Sequence, residues 1–371
     1  MKKDEIRNIL LICGSCISFY IGAGFATMQE IVQYEVAYGS LFPIVILVTA
    51  IIYVYTNISF ATNGHRLNLQ RGGEIYEIYG SVITPKFGKA MGMFFDYFSA
   101  LFCYMSFIVM CGGANATATQ QWGVRQGVGA LVLTVFVIVT VIFGLDGILR
   151  ALSKIGPVII AMILIVSIVA TVTGWQNIPK AMEDIDTGTY VQTLKRVGGG
   201  NPIASGASYG GFVILWFATF ISEIGAKNRL KSINVGMGLS TLFIFGSAAL
   251  CCMGIIGHID ITASADIPAL VLAEAISPVF AQLFAIIICA GIYTSAVPLL
   301  WTGVRKLVGE KEKKYKVITC LAGGLGCLIA CYFPYKGLIN VLYGLNGYLG
   351  FLLVFLMFIY DVKTRMSSKD K

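Results

Sequence analysis

The sequence predicts an all-α integral membrane protein of ten transmembrane helices, arranged as two inverted sets of five in which the first and sixth helices are broken. Three observations predict it. Hydrophobic residues make up 57% of the 371 residues and charged residues 12%, about half the charged share of soluble domains. Lys and Arg alternate in density from one inter-helix loop to the next. Glycine clusters, Gly22-Ala23-Gly24 and Gly206 with Gly210-Gly211, interrupt the leading apolar stretch of each half.

Apolar windows long enough to cross about 30 Å of hydrocarbon are expected over 6–34, 40–62, 88–113, 127–145, 152–174, 206–226, 232–257, 278–303, 315–333 and 337–361. Ten crossings bring both termini to one side. Of the 27 basic residues, 22 fall in loops on that side, and only Arg125, Lys180, Lys195, Arg196 and Lys336 fall on the other. Because Lys and Arg in short loops resist translocation, the termini are expected in the cytoplasm and the chain in the cell (plasma) membrane as a multi-pass protein. The net charge of +8 is then a topology signal, so the expected partners are the lipid bilayer and a small solute, with no nucleic acid and with one chain sufficient for the whole site.

Lys2 and Lys3 before an apolar run resemble a secretory leader, but helix-compatible residues continue through Tyr34, which favours a retained first span. All ten cysteines fall inside expected helices without CxxC pairs or histidines at ligand spacing, and read as small apolar packing residues. Residues 64–87 contain GGEIYEIYG, a short helix on the cytoplasmic side, and residues 259–277 contain DIPALVLAEAIS, an amphipathic stretch on the outside; each reads as a lid or a surface helix. Residues 175–205 read as a solvated linker between a first five-helix repeat, 1–174, and a second repeat with its cytoplasmic tail, 206–371.

Five helices in each half force the second five to enter from the opposite face, the geometry of an inverted repeat. Irregular backbone in hydrocarbon leaves N–H and C=O groups unpaired at several kcal/mol each unless protein, water or ligand meets them. Freed amides at the start of an outer half-helix suit a carboxylate, and freed carbonyls below suit a cation. The competing reading is helix packing, since Gly is common in membrane helices and this chain has 42.

The decapeptide Gly22-Ala23-Gly24-Phe25-Ala26-Thr27-Met28-Gln29-Glu30-Ile31 resembles the first-helix signature of the YkvI-like bacterial membrane proteins. These look like members of the amino acid/polyamine/organocation superfamily, so the resemblance implies a LeuT-like fold of five plus five helices. Met28 stands where that pattern has glycine. The resemblance implies that Gly22, Ala23, Gly24 and neighbouring Phe25 contact substrate. It implies that Ser18 and Ile21 offer carbonyls to a Na⁺ ion completed by Ala290, Thr294 and Ser295 of the eighth helix. Pro298 supports that place independently, because it has no N–H for the Thr294 carbonyl; the alternative is an ordinary proline kink.

Ionisable groups within spans are costly and hence candidates for function. Glu30, about 9 Å outward from Gly24 along a regular helix, can face an outer vestibule, bind an amine, take a proton, or cap helix ends. Asp96 near the inner end of the third helix is a transport residue or the partner of a nearby Lys or Arg. Glu223 and Lys227 pair on the helix surface or form an inner gate, and Lys154 snorkels or replaces a sodium ion. Tyr104, Phe212, Trp216, Phe217 and Tyr293 lie on helices that line the centre of the resembled fold.

The function expected is a secondary active transporter, an ion-coupled symporter working by alternating access, of a small amino acid or amino-acid-like solute. Na⁺ is the expected coupling ion, with H⁺ as the alternative and no bound cofactor. Proton-coupled or exchange transport of an amine or organic cation, a channel, and a non-transporting sensor stay open. An enzyme is not expected, since nucleophile, phosphate-loop and metalloprotease motifs are missing.

Overall fold

The protein is described here from a computed structural model, which describes residues 3–69, 73–143 and 156–369. Among these, every regular element is helical. In chain order they are α1 (Lys3–Tyr20), α2 (Ala23–Ala26), α3 (Gln29–Tyr34), α4 (Phe42–Leu67), α5 (Glu74–Gly80), α6 (Pro85–Trp122), α7 (Val128–Phe143), α8 (Gly156–Gly174) and α9 (Ile178–Asp186). Then follow α10 (Pro202–Lys227), α11 (Leu230–Gly257), α12 (Ile259–Thr262), α13 (Pro268–Ile276), α14 (Pro278–Leu307), α15 (Tyr315–Tyr332), α16 (Tyr335–Leu338) and α17 (Gly344–Lys369), the last two joined by a π-helical turn, Ile339–Tyr343.

Local chemistry sets several starts. Thr84 accepts from the Phe87 amide ahead of Pro85 in α6, and Asn201 accepts from the amides of Ile203 and Ala204 ahead of Pro202 in α10. Both are N-caps followed by a proline that has no amide to satisfy.

Among the described residues, seven helical stretches are long and apolar enough to cross a membrane: Val36–Leu67, Pro85–Trp122, Gly156–Asp186, Leu230–Gly257, Pro278–Leu307, Tyr315–Tyr332 and Tyr335–Thr364. An eighth is α10, whose two parts, Pro202–Leu215 and Phe220–Lys227, meet at 58°. The first expected span fails to register as one such stretch because it is cut into α1, α2 and α3. The fourth, Val128–Phe143, is apolar but shorter. Its expected end at 145, and the start of the fifth at 152 with Arg150 and Lys154, lie outside the described residues.

Two expectations are corrected by the fold. The sixth helix is not broken at its glycines: α10 runs helically through Gly206, Gly210 and Gly211 and bends farther on, between Leu215 and Phe220. Those glycines let α10 approach its neighbours closely. A Cβ on Gly206 would lie 2.8 Å from Val45 O, one on Gly210 2.8 Å from Ile52 Cγ2, and one on Gly211 1.9 Å from Gly347 O. The linker is also not simply solvated, because α9 buries Ile178, Ala181 and Ile185 against the turn Val36–Leu41.

The helices pack in three neighbouring groups: α4, α10 and α17; α6, α7, α14 and α15; and α1, α8 and α11. The α2–α3 segment touches members of all three groups, with contacts to α6, α8, α10, α11 and α14. Where they meet, Tyr20 is ringed by Phe25, Tyr53, Tyr209, Phe217 and Phe245 at centroid distances of 5.6–6.3 Å.

Candidate functional site

The interruption in the first span is two breaks in quick succession. The helix α1 stops at Tyr20, and the Gly22 amide donates to Tyr20 O at 3.0 Å. It thereby turns away from Ser18 O, the carbonyl that a continuing helix would give it. The four residues of α2 follow, and the chain turns again at Thr27–Met28 before α3. Met28 is fully buried and holds φ 61°, ψ 4°, the left-handed region that glycine enters freely and other residues enter at a cost of about 1–2 kcal/mol. Thr27 secures the turn, its hydroxyl donating to Gly24 O at 2.7 Å while its oxygen receives the Gln29 amide at 3.3 Å.

This turn corrects the placement of Glu30. The carboxylate does not stand outward on a regular half-helix; the second break folds it back so that Glu30 Oε1 lies 1.7 Å from where a Cβ on Gly24 would be. Only glycine at position 24 leaves room for it. Glu30 is 6% exposed, and Tyr209 donates a 3.4 Å hydrogen bond to its Oε2. The ion pairs among the described residues are Lys231–Glu5, Arg305–Glu310 and Lys306–Asp96, so none engages Glu30.

A cavity of about 560 Å³ opens beside this carboxylate. Its lining brings together Ser18, Ile21, Gly22, Gly24, Phe25, Glu30, Phe212, Thr294 and Ser295 of the expected site residues, as well as Phe217 and Pro298. Thr294 donates its hydroxyl proton to Gly291 O at 2.8 Å, which leaves the oxygen lone pairs available. Below the break the cavity reaches Gly156, Leu299 and Thr302.

Three expected residues are not in that lining. Tyr104 donates to Ala322 O at 2.9 Å on α15, Tyr293 shares a hydrogen bond with Thr140 on α7, and Ala290 sits a turn above Thr294 on α14. The side chains of Ala23 and Trp216 lie outside the described residues. Asp96 pairs with Lys306, the structural partnership of the two options. Glu223 and Lys227 form none of the ion pairs.

Other residues at the site escaped sequence reasoning. Tyr20, Tyr209 and Tyr343 line the cavity, and Tyr209 had one signal, its spacing of three from Phe212 on a helical face. Glu35, one residue beyond the expected first span, is fully buried; Cys252 donates to its Oε2 at 3.1 Å, and its Oε1 has no partner. A carboxylate at a span's end reads as solvated loop in sequence, and only the tertiary packing of α11 over it removes the water.

No protein-family model matches the chain, and no curated protein does. Solved structures do. Two single-site mutants of the Eremococcus coleocola manganese transporter, in crystal structures, superpose with TM-scores of 0.50 and 0.51 at 15% identity, covering 94% of this chain and 77% of that one. At such identity the likeness shows the fold, a LeuT-like membrane fold. It also corrects the assignment to the YkvI-like family and through it to the amino acid/polyamine/organocation superfamily: the decapeptide Gly22–Ile31 encodes a twice-broken helix, a local geometry that does not by itself identify a family.

Proposed function

We propose that the protein is a secondary active transporter, working by alternating access, of a small solute that carries an amine, amino-acid-like or a simple amine. The observation that carries this reading is Glu30, a buried carboxylate without an ionic partner, held against the glycine break and facing a solute-sized cavity. Removing such a charge from water costs several kcal/mol, and a cationic group arriving in the cavity offsets that cost. The fold supports the transport class by analogy, the break supports a site between two inverted sets of five helices, ten crossings in all, and the split of basic residues, 22 against five, supports cytoplasmic termini.

Na⁺ is the coupling ion we propose. Ser18, Ile21, Thr294 and Ser295 share the cavity wall, the Ser18 carbonyl has lost its helical amide, and Pro298 withholds one from Thr294; oxygen donors of this kind suit a hard cation. The second reading, proton-coupled or exchange transport of an organic cation, is favoured by one observation. Glu30 Oε1 occupies the space against Gly24 in which a substrate carboxylate would meet the freed amides.

Manganese is not carried over from the structural neighbour. Among the described residues no cluster of three or more His, Cys, Asp or Glu side chains can hold a metal ion, and the cavity wall carries a single carboxylate. A first-row divalent ion asks for several strong ligands. Counterflow in proteoliposomes tests the reading: saturable exchange of labelled amine, faster in Na⁺ than in K⁺, is expected. Ohmic current with no saturation sinks the carrier, and equal rates in Na⁺ and K⁺ sink the sodium site.

A further inference from the structure

Besides Glu30, the cavity wall carries six aromatic rings. Tyr20, Phe25, Tyr209, Phe212, Phe217 and Tyr343 all line it. They form one connected belt: Phe25 meets Tyr20 at 6.2 Å between centroids, Tyr20 meets Tyr209 at 6.2 Å and Phe217 at 6.3 Å, Tyr209 meets Phe212 at 6.5 Å, and Phe212 stacks on Tyr343 at 4.2 Å. No Lys, Arg or His is in the described lining, which also holds the aliphatic side chains of Ile21, Ile159, Val213 and Leu299 and the hydroxyls of Ser18, Thr294, Ser295 and Thr302.

We propose that this carboxylate-and-ring belt selects a methylated ammonium cation, tertiary or quaternary, lacking a carboxylate of its own. The proposal rests on the amine-transport reading above and narrows its substrate. Three physical points lead to it. A primary ammonium is strongly hydrated and needs about three acceptors to replace that water; the wall beside the rings offers one carboxylate with a tyrosine hydroxyl already on it, and the Ser18, Thr294 and Ser295 oxygens on the same wall are the ones given above to Na⁺. A methylated ammonium presents an apolar, diffuse positive surface that needs no directed acceptors and is drawn to ring faces and to a nearby negative charge. A zwitterion would place its carboxylate at the amides beside Gly24, where Glu30 Oε1 already lies. The cavity, at about 560 Å³, falls in the ordinary range for a small organic ligand.

The test uses the full-length protein in nanodiscs, titrated at constant ionic strength with methyl-, dimethyl-, trimethyl- and tetramethylammonium chloride and with glycine, read by tryptophan fluorescence and thermal shift. Affinity is expected to rise along the series, at least tenfold from the first member to the last, with glycine weakest. In Glu30→Gln every cation is expected to weaken alike, and in Phe25→Leu or Phe217→Leu the series is expected to flatten, with Phe25→Trp retaining it as a control for folding. A series that is flat or falls in the wild type, glycine binding as well as tetramethylammonium, or no binding by any member each overturns the proposal. Counterflow of labelled tetramethylammonium separates the two readings: graded binding without exchange removes the carrier and keeps the cage, while saturable exchange of primary amines alone keeps the carrier and removes the cage.

Discussion

Gly24 and Glu30 are six residues apart and meet only because Met28, between them, adopts a left-handed conformation. Each of the three has a separable role: Met28 reverses the chain, Gly24 leaves the space, and Glu30 fills it with its carboxyl group. Gly24→Ala therefore tests the arrangement without removing a functional group. The added Cβ meets the far end of a flexible side chain and not backbone, so folding is expected to survive with a stability change below about 1 kcal/mol. The displaced carboxylate is expected to lower amine affinity about tenfold, or about 1.4 kcal/mol. Isothermal titration beside a thermal melt checks this, and wild-type affinity in the alanine variant is the outcome that sinks the contact. Met28 also shows what one sequence can convey: its departure from an expected glycine was legible, but the positive φ behind that expectation was not, since φ is set by how α3 docks.

At the scale of elements, two glycine clusters with the same sequence signature turned out to be different devices. Gly22-Ala23-Gly24 breaks a helix, and Gly206, Gly210 and Gly211 bring one helix backbone to its neighbours. Small residues do both in membrane helices, and only the presence or absence of a facing helix distinguishes them. The approach of α10 to α17 is the tightest, a Cβ on Gly211 lying 1.9 Å from Gly347 O and 2.6 Å from Phe351 N. Backbone cannot move aside cheaply, so Gly211→Ala is expected to cost about 2–3 kcal/mol. Gly238→Ala, at a helical position with open space around it, is expected to be neutral or stabilising by up to about 1 kcal/mol. Melting both variants in the same detergent decides the matter; equal melting temperatures would falsify the close approach.

For the molecule as a whole, the split of basic residues, 22 against five, makes orientation a prediction of its own. Reporters fused to either end that fluoresce only in the cytoplasm are expected to be bright, and an impermeant thiol reagent applied outside is expected to label a cysteine at Thr187 but not one at Lys311. A dark reporter at one end would mean an odd number of crossings and would dismantle the paired halves with it. The sequence by itself determined the solvent, the helical class, most helix positions, and the location of the first break, because hydrophobic length, proline and glycine act locally. It also singled out Glu30, Thr294 and Ser295, because polar groups in apolar runs stand out without a partner in view. Tertiary structure alone decided where the Glu30 carboxylate points, that Tyr20, Tyr209 and Tyr343 join the cavity wall, that Tyr104 and Tyr293 are tied to other helices, and that Glu35 is buried. Each of these depends on which helices face one another, and that pairing follows from packing over the whole chain and not from any local run of residues.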